Sequence, residues 1–302
     1  MNNTQDYVDA WHRDEREWWN KHGEYMTYQW RLTPTLHRVT RSALERDYVD
    51  YLYTPGGRLL DVGCGSGWLS LLFARKGMSV VGLDIAQEQI DAACQLQEEE
   101  RMPSVRFECA DFTTWDDSEH IGSFDSIFVN AFLHHLPEQE LERILNKIAR
   151  VVRPGGRVFM YEPLTSDTPR RPLVRAIDRV CNLGHRILNL LPARLGGHSQ
   201  QHRAEVARGY TMNSPHERPV NIELLRRFCE PHFQLSEVRG WHLHSIGFAM
   251  HVTALKPSFR RAYEYIGRTW YVVDRLLLAT FGWQAFSMPN RFILCGIKLI
   301  RR

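Results

Sequence analysis

The sequence is poor in cysteine and has no long apolar run. Its six cysteines are scattered over 302 residues without a Cys-x-x-Cys pair, which disfavours a disulfide scaffold or a zinc site and suits reduced thiols. No stretch reaches the roughly 18 uninterrupted apolar residues of a membrane-spanning helix. The start lacks the basic and apolar segments of a signal peptide. Because 43% of the residues are hydrophobic, which is enough for a core, we expect a folded protein. The cysteine usage suggests that it is cytoplasmic.

Positive and negative charges are unevenly distributed behind a net charge of only +3. Residues 1–163 contain 17 lysines and arginines against 26 aspartates and glutamates, whereas residues 164–302 contain 21 against 9. The chain therefore has an acidic front and a basic back.

Strands and helices alternate between residues 57 and 163. The predicted strands cover 58–62, 79–84, 105–109, 124–130 and 157–161, and the predicted helices cover 67–76, 86–101 and 138–152. Such alternation is typical of parallel strands joined by right-handed crossovers in a doubly wound α/β sheet. In sheets of this kind ligands bind at the carboxyl ends of the strands.

A glycine-rich turn follows the first predicted strand. Gly63, Gly65 and Gly67 occupy alternate positions, whereas the dinucleotide pattern G-x-G-x-x-G would place its third glycine where Trp68 stands. Asp61 lies two residues before the first glycine, where a carboxylate would repel a pyrophosphate and can attract an ammonium group. The turn therefore favours a ligand other than NAD.

Two more acids end the next two strands. Asp84 closes the second strand, where a carboxylate can accept hydrogen bonds from ribose hydroxyls. Asp111 lies just beyond the third strand, where the carboxylate or nearby backbone can meet an adenine amine. The expected ligand is a positively charged nucleoside with an amino group rather than phosphates.

The front half resembles the class I S-adenosylmethionine-dependent methyltransferases in five stretches: LLDVGCGSG, VVGLDI, ECADF, FDSIFVNAFLHHL and LNKIARVVRPGGRVFMYEP. They occur in that family's order and spacing and span residues 57–163. The resemblance implies a Rossmann-like, seven-stranded, mostly parallel sheet with an antiparallel last strand. It also implies S-adenosyl-L-methionine as the methyl donor. A related α/β domain that binds another nucleotide, or none, is the competing interpretation.

The same resemblance implies which residues hold the cofactor. Asp61 and the three glycines would hold the methionine part, Asp84 the ribose, and Asp111 with Phe112 the adenine. Asn130 would line the sulfonium side. The complete implied set is Asp61, Gly63, Cys64, Gly65, Gly67, Asp84, Ile85, Asp111, Phe112 and Asn130, with Tyr25 and Tyr28 from the N-terminal segment.

Three side chains near the ends of the fourth and fifth strands are candidates for a catalytic base: His134, His135 and Glu162. Methyl transfer from a sulfonium mainly needs alignment of the reacting atoms and removal of at most one proton. Each candidate has a structural alternative. The paired histidines can pack against the loop and cap the next helix, and Glu162 can hydrogen-bond to that loop.

The N-terminal segment is rich in aromatic residues. The spacing of Trp11 and Trp18 predicts a helix over residues 5–22 that ends at Gly23, with both rings packed on the sheet. The family resemblance suggests that this segment also closes over the cofactor. Tyr25 and Tyr28, just beyond the predicted helix, are the candidate lid residues.

The resemblance predicts two further strands in the back half, and segments 233–239 and 292–300 fit them. Two insertions, 164–219 and about 242–289, would then rise over the same rim of the sheet as a helical substrate cap. The chain would divide into an N-terminal lid (1–56), a cofactor-binding core (57–163), a cap insertion with a helix (164–232) and the last two strands with the second insertion (233–302).

Both insertions contain a basic amphipathic segment, at 171–191 and 258–283. Such helices either form a lid with an apolar inner face or lie on a membrane surface, and the two are compatible for a lipid-like substrate. A basic lid also suits an acidic or phosphorylated acceptor. Nucleic acid is not expected, because the arginines are dispersed along apolar helices without a recognisable binding module.

Five of the eight histidines in the back half are further candidate site residues. His198 and His202 are four residues apart, but no third ligand stands at a zinc-like spacing, so no metal site is predicted. His216, His242 and His244 either meet the substrate from the lid or are ordinary loop and surface residues.

The family resemblance implies a methyltransferase, and the expected acceptor is an O, N or C atom of a small molecule, such as a specialised metabolite. Two alternatives remain open. One is a membrane-surface enzyme that methylates a lipid or a lipid-linked sugar. The other is a non-catalytic protein that binds the cofactor or a partner. The sequence identifies neither the acceptor nor the oligomeric state.

Overall fold

The computed structural model describes residues 3–32, 34–168, 172–194, 214–245, 255–287 and 293–302. The helices are α1 (Asn3–Leu32), α2 (Pro34–Leu52), α3 (Trp68–Ala74), α4 (Gln87–Glu100), α5 (Leu141–Val151), α6 (Pro172–Arg194), α7 (Ile222–Cys229) and α8 (Pro257–Phe281). The strands are β1 (Arg58–Val62), β2 (Ser79–Asp84), β3 (Val105–Cys109), β4 (Phe124–Asn130), β5 (Val152–Thr165), β6 (Val220–Asn221), β7 (Phe233–His242) and β8 (Ile293–Arg301).

One sheet contains the strands in the order β3-β2-β1-β4-β5-β8-β7, and the short β6 pairs with the end of β5. Strands β1 to β5 run parallel to one another, whereas β8 runs antiparallel to both β5 and β7. This is the predicted Rossmann-like arrangement, with β6 as an additional short strand. The strand order reverses between β1 and β4, where such sheets bind their ligands.

The sheet is covered on both faces. Along β1, Leu60 and Val62 belong to a hydrophobic cluster with α5 and α7, whereas Leu59 belongs to a second cluster with α2 and α3. Alternate residues of β4 and β5 divide between the two clusters in the same way. Because both faces are buried, the central strands are nearly continuous apolar runs, which explains why the sequence predicts them well.

The N-terminal helix differs from its prediction. α1 continues through Gly23 to Leu32 instead of ending at Gly23, and α2, which the sequence analysis does not predict, follows it. A glycine inside a helix costs about 1 kcal/mol relative to alanine, and this cost alone does not end a helix. The side chains of Tyr25 and Tyr28 lie outside the described residues, so their role as a lid stays a prediction.

β5 is longer than the predicted segment 157–161. It begins at Val152 and accommodates the Pro154-Gly155-Gly156 turn as a bulge, because Phe124 pairs with Val152 while Ser126 pairs with Arg157. At its other end it continues past Glu162, which pairs with Cys295 of β8. The carboxylate of Glu162 therefore stands on a rigid strand rather than on a loop.

Both insertions leave the sheet at its ligand edge. The pairs Leu164–Ile293 and His242–Leu294 place the end of β5, the end of β7 and the start of β8 side by side. Helices α6 and α8 pack together there, since the hydroxyl of Tyr263 donates to the carbonyl of Leu188. None of the helices in the described ranges is long and apolar enough to cross a membrane. The division of the chain into four segments stays a prediction.

Candidate functional site

The glycine-rich turn is held close to the sheet. The backbone N–H groups of Gly63 and Cys64 both donate to the carbonyl of Leu83, at 2.9 and 3.0 Å, which ties the turn to β2. Gly67, the N-cap residue just before α3, has φ 74°, and a Cβ atom there would lie 2.9 Å from Ala93 and overlap the Phe107 ring. Glycine is required at this position both by the left-handed conformation and by the close approach of Phe107.

Asp61 lies at the base of the turn and is 1% exposed. Its Oδ2 accepts a hydrogen bond of 2.6 Å from the hydroxyl of Ser70. Burial, together with the charge of Asp84, raises the pKa of the Asp61 carboxyl to about 7, although the Ser70 hydrogen bond lowers it. A ligand cation at this position would favour the carboxylate form.

The carboxylate of Asp84 is oriented by the backbone on both sides. Its Oδ2 accepts from the N–H of Gly65 at 2.9 Å, and its Oδ1 accepts from the N–H of Ala86 at 3.0 Å. Burial raises the pKa of this carboxyl. Ile85, between Asp84 and Ala86, is half-buried. The carboxylate is thus held rigidly at the end of β2, with further lone pairs for a ligand hydroxyl.

Asp111 caps the turn after β3. Its Oδ1 accepts from both the N–H and the hydroxyl of Thr113, at 2.9 and 2.7 Å. Its Oδ2 lies 3.8 Å from His12 Nδ1 and 3.8 Å from Arg16 Nη2, both on α1. The neighbouring Phe112 is 2% exposed, with its ring in the core. Contact between Phe112 and adenine therefore stays a prediction.

The turn after β4 adjoins the glycine-rich turn. A Cβ atom on Gly63 would lie 3.5 Å from the carbonyl of Asn130 and 3.4 Å from Cβ of Phe132. Between these two residues Ala131 adopts φ 51°, which is unusual for a residue with a side chain, and its N–H donates to Tyr161 at 2.8 Å. The sequence does not indicate this conformation at Ala131, because alanine has no signature for it.

Glu162 and His134 form a buried pair behind this turn. Oε1 of Glu162 accepts from the N–H groups of Phe132 and Leu133, each at 2.8 Å, and Oε2 lies 2.8 Å from His134 Nδ1. Burial raises the pKa of Glu162 to about 7 and lowers the pKa of His134 to about 3. His134 Nε2 faces Glu217 at 3.7 Å. A histidine with so low a pKa is a weak proton acceptor at neutral pH.

His135 faces the N-terminal helix instead. Its Nδ1 lies 2.9 Å from the hydroxyl of Ser214 and 3.1 Å from Oε2 of Glu15, and its carbonyl accepts a 2.6 Å hydrogen bond from Trp11 Nε1. Burial, together with the neighbouring His134, lowers the pKa of His135. The two histidines therefore differ in their contacts: one is attached to β5 and the other to α1.

α1 is attached to the site by residues of its first half. Trp11 stacks on His216, with 4.1 Å between ring centroids, and the N–H of His216 donates to Glu15 at 3.2 Å. His12 Nε2 lies 2.5 Å from Glu140. Packing of Trp11 on the face of the sheet is the predicted arrangement. Its nitrogen and ring instead contact the two segments that flank the ligand edge.

The remaining histidines of the back half divide by location. His242 and His244, at the end of β7, are 3% and 4% exposed, so they are not surface residues. His244 Nε2 lies 3.6 Å from Asp178 of α6, and the carboxylate of Asp274 on α8 accepts from the N–H of His244. These contacts join the cap helices to the sheet. His198 and His202 lie outside the described residues.

Comparison with known proteins finds similarity in the part of the chain that contains the glycine-rich turn and the strand-end acids. Residues 59–156 match the family model of a methyltransferase domain. The ubiquinone biosynthesis O-methyltransferase of Idiomarina loihiensis is 30% identical over 144 residues, which cover 47% of this chain and 54% of that protein. The protein of the same name from Neisseria meningitidis serogroup A is 31% identical over 145 residues, covering 47% and 56%. The chain thus spans about half the length of these curated relatives.

Solved structures with a similar fold include geranyl diphosphate C-methyltransferase from Streptomyces coelicolor A3(2), with a TM-score of 0.52 and 15% identity over 86% of this chain and 79% of that one. The [4+2]-cyclase SpnF also has a TM-score of 0.52, with 17% identity over 86% and 80% of the two chains. At such identities the likeness shows the fold alone. The matched residues 59–156 include the glycine-rich turn and the three strand-end acids, so this part of the chain is similar to a methyltransferase domain.

Proposed function

We propose that the protein binds S-adenosylmethionine at the carboxyl ends of β1, β2 and β3 and transfers its methyl group to a small-molecule acceptor. The observation that carries this proposal is the row of acids at the ends of three adjacent strands: Asp61 on β1, Asp84 at the end of β2 and Asp111 just beyond β3. A row of carboxylates favours a cationic, donor-rich nucleoside and disfavours a phosphate. The methyltransferase-domain match over residues 59–156 supports the same ligand.

Each part of the cofactor has a complementary group. The carboxylate of Asp61 suits the α-ammonium group of the methionine part, and the oriented carboxylate of Asp84 suits the two ribose hydroxyls. Asp111 suits the exocyclic amine of adenine. The glycine-rich turn leaves room for the backbone to approach the ligand, and Asn130 stands beside it at the end of β4.

The chemical step needs little from a proton acceptor. S-adenosylmethionine, held by Asp61, Asp84 and Asp111, would supply a methyl group on a positively charged sulfur; an electron pair of the acceptor would form the new bond to this methyl group while sulfur keeps the electrons of the broken carbon–sulfur bond. The acceptor proton, where there is one, passes to water or to a base. The pKa of His134 is about 3, and both oxygens of Glu162 are already bound by His134 and by the N–H groups of the turn, so we assign the pair to positioning the turn 131–135 rather than to proton removal.

The acceptor is proposed to enter under the cap formed by α6 and α8, because both insertions leave the sheet at the ligand edge. The relatives named for ubiquinone biosynthesis and for geranyl diphosphate are small-molecule methyltransferases. A small-molecule acceptor, methylated at O, N or C, is therefore the proposal for this chain as well. The 21 basic against 9 acidic residues of the back half suit an acceptor that carries negative charge.

Calorimetric titration with S-adenosylhomocysteine tests the proposal. The wild-type protein is expected to bind it, and Asp84→Asn is expected to weaken binding at least tenfold, because a charge-assisted acceptor of hydroxyl hydrogen bonds is lost. Asp91→Asn, an exposed acid on α4, is the matched control and is expected to bind normally. A folded wild-type protein without affinity for this ligand, or normal binding by Asp84→Asn, contradicts the proposal.

Turnover of S-adenosylmethionine with a panel of acceptors tests the chemical step. His134→Asn keeps a hydrogen-bond partner for Glu162 and is expected to keep most of the activity. A loss of about 100-fold or more in kcat, with unchanged affinity for S-adenosylhomocysteine, would instead identify His134 as a base. Bound cofactor that no acceptor consumes would favour the non-catalytic alternative.

A further inference from the structure

The outer face of α6 carries an apolar stripe that no described residue covers. Five of its side chains, spaced by seven, three, four and three residues, are between 53% and 72% exposed: Leu173, Val180, Leu183, Ile187 and Leu190. At 3.6 residues per turn they fall within about 100° of the helix circumference and extend for about 25 Å. Monomeric soluble proteins rarely expose a contiguous apolar surface of this kind without a binding role.

The opposite face of α6 is already packed. Val174 is 1% exposed in the main core, Asp178 is 3% exposed beside His244, and Leu188 contacts Tyr263 of α8. The stripe is therefore a second apolar face of α6 and not its contact with the fold. Helix α6 therefore has two apolar faces: one is packed against the protein and the other is exposed.

Arginines follow the stripe on one side. Arg175, Arg179 and Arg186 are exposed and lie within about 40° of one another around the helix, next to the stripe. The one acidic residue of α6, Asp178, lies on the packed face. Its exposed surface therefore combines apolar and positive groups without any negative charge.

From this combination we propose that α6 docks the protein on an anionic lipid bilayer, with the helix lying in the plane of the interface. The apolar stripe would enter the boundary between headgroups and acyl chains while the arginines contact the anionic headgroups. Helix α8 has the same plan, with exposed Tyr265, Val272 and Leu276, and reinforces the contact. The docking mode is peripheral, since no helix in the described part of the chain could cross a bilayer.

Charge favours a bilayer over a second copy of the chain. A symmetric dimer through the stripe would bring two identical arginine rows towards each other, and α6 offers no exposed acid to neutralise them. An anionic headgroup layer supplies the missing negative charge along the whole row. The proposal is independent of methyl transfer, since it concerns only the outer face of the cap.

Flotation of the full chain with vesicles tests the proposal. The wild-type protein is expected to float with phosphatidylcholine vesicles that contain phosphatidylglycerol, and to stay in solution with pure phosphatidylcholine, at physiological salt. Arg179→Gln with Arg186→Gln is expected to weaken vesicle partitioning about 25-fold, since each basic residue at an anionic surface contributes roughly fivefold. Leu183→Ser with Ile187→Ser is expected to abolish flotation.

Two control variants remove an exposed apolar side chain or an exposed arginine at positions outside α6. Ile121→Ser changes an apolar side chain that is 63% exposed in a loop, and Arg106→Gln changes an arginine that is 75% exposed on β3. Both are expected to float like the wild type, and all variants are expected to melt at the wild-type temperature. Wild-type protein that stays in solution with anionic vesicles, or α6 variants that float normally, overturns the proposal. A wild-type dimer by light scattering that the Leu183/Ile187 variant dissociates, without vesicle binding, would assign the stripe to a second copy instead.

Discussion

Nδ1 of His134 lies 2.8 Å from Oε2 of Glu162, and the other oxygen of the same carboxylate accepts the N–H groups of two residues that precede the histidine. All three contacts join the turn after β4 to the strand β5. The pair is almost completely buried. This burial raises the pKa of Glu162 to about 7 and lowers the pKa of His134 to about 3. We interpret the pair as the tether that holds the turn beside the cofactor site.

Removing the carboxylate is expected to destabilise the protein strongly. Glu162→Ala leaves the N–H groups of Phe132 and Leu133 buried without an acceptor, at about 1–3 kcal/mol each, so a loss of about 3 kcal/mol or more is expected in urea unfolding. Glu162→Gln keeps an acceptor oxygen and is expected to cost about 1 kcal/mol. Glu138→Ala, an exposed acid in the following turn, serves as the control. Equal stability of the alanine and glutamine variants would show that these hydrogen bonds do not stabilise the turn.

Much of the sheet could be predicted because buried parallel strands have a local signature. The predicted bounds 105–109 and 124–130 coincide with β3 and β4, where apolar runs are bounded by polar or turn residues. The acids at the strand ends could be predicted for the same reason. Once a parallel strand is predicted, the residues that follow its carboxyl end must lie at the ligand-binding edge of the sheet. The end of α1 could not, because the cost of Gly23 is small beside the packing of a helix.

The contacts that complete the site join positions far apart in sequence. His134 and Glu162 are separated by 28 residues, and Trp11 and His135 by 124. No spacing rule connects such residues, so the sequence could nominate His134, His135 and Glu162 without indicating which partner each would have. Trp11, His12 and Glu15 were missed as site residues because their helical spacing predicts ordinary packing. Their polar partners become visible only in three dimensions.

The His134–Glu162 pair is expected to contribute little to the pH dependence of the free energy of unfolding. In the unfolded chain at pH 5.5, with pKa values of 4.5 and 6.5, the glutamate is charged and the histidine carries the proton. In the folded protein the proton is on the buried glutamic acid. Both states hold one proton, so this pair contributes little slope to the free energy of unfolding between pH 4.5 and 6.5.

Substitution of either member of the pair is expected to make the free energy of unfolding depend on pH, with opposite sign in the two variants. In Glu162→Gln the histidine has a lowered folded pKa, so its stability contribution is present above pH 6.5 and is lost as the pH falls. In His134→Asn the glutamate has a raised folded pKa, so its contribution is present below pH 4.5 and is lost as the pH rises through about 7. Between pH 5.5 and 6.5 the free energy of unfolding of each variant should change by about 1 kcal/mol relative to the wild type. It should rise with pH in Glu162→Gln and fall with pH in His134→Asn. Parallel urea-unfolding curves for all three proteins would refute this proton exchange.

Cofactor affinity is expected to rise with pH up to about 7. Burial holds the pKa of Asp61 near 7 in the free protein, and pairing with the ligand ammonium requires the carboxylate. The affinity for S-adenosylhomocysteine should therefore increase by up to about tenfold per pH unit below 7, with release of a proton on binding. Calorimetry between pH 5.5 and 7.5 in buffers of different ionisation enthalpy measures both quantities. Asp61→Asn should bind more weakly and lose this slope, and an unchanged slope would assign the titration to another group, such as Asp84.

α1 is expected to loosen when its buried glutamate is neutralised. Glu15 contacts both His135 and the N–H of His216, so Glu15→Gln weakens two contacts that hold the helix at the ligand edge. A charge-assisted hydrogen bond in this setting is worth about 1.5–3 kcal/mol, which corresponds to at least tenfold faster amide hydrogen exchange across α1. Glu17→Gln, an exposed acid on the same helix, should exchange like the wild type. If α1 closes over bound cofactor, S-adenosylhomocysteine should slow exchange in the wild-type helix and should do so less in Glu15→Gln. Equal exchange in Glu15→Gln and Glu17→Gln would mean that Trp11 and His12 hold α1 without this carboxylate.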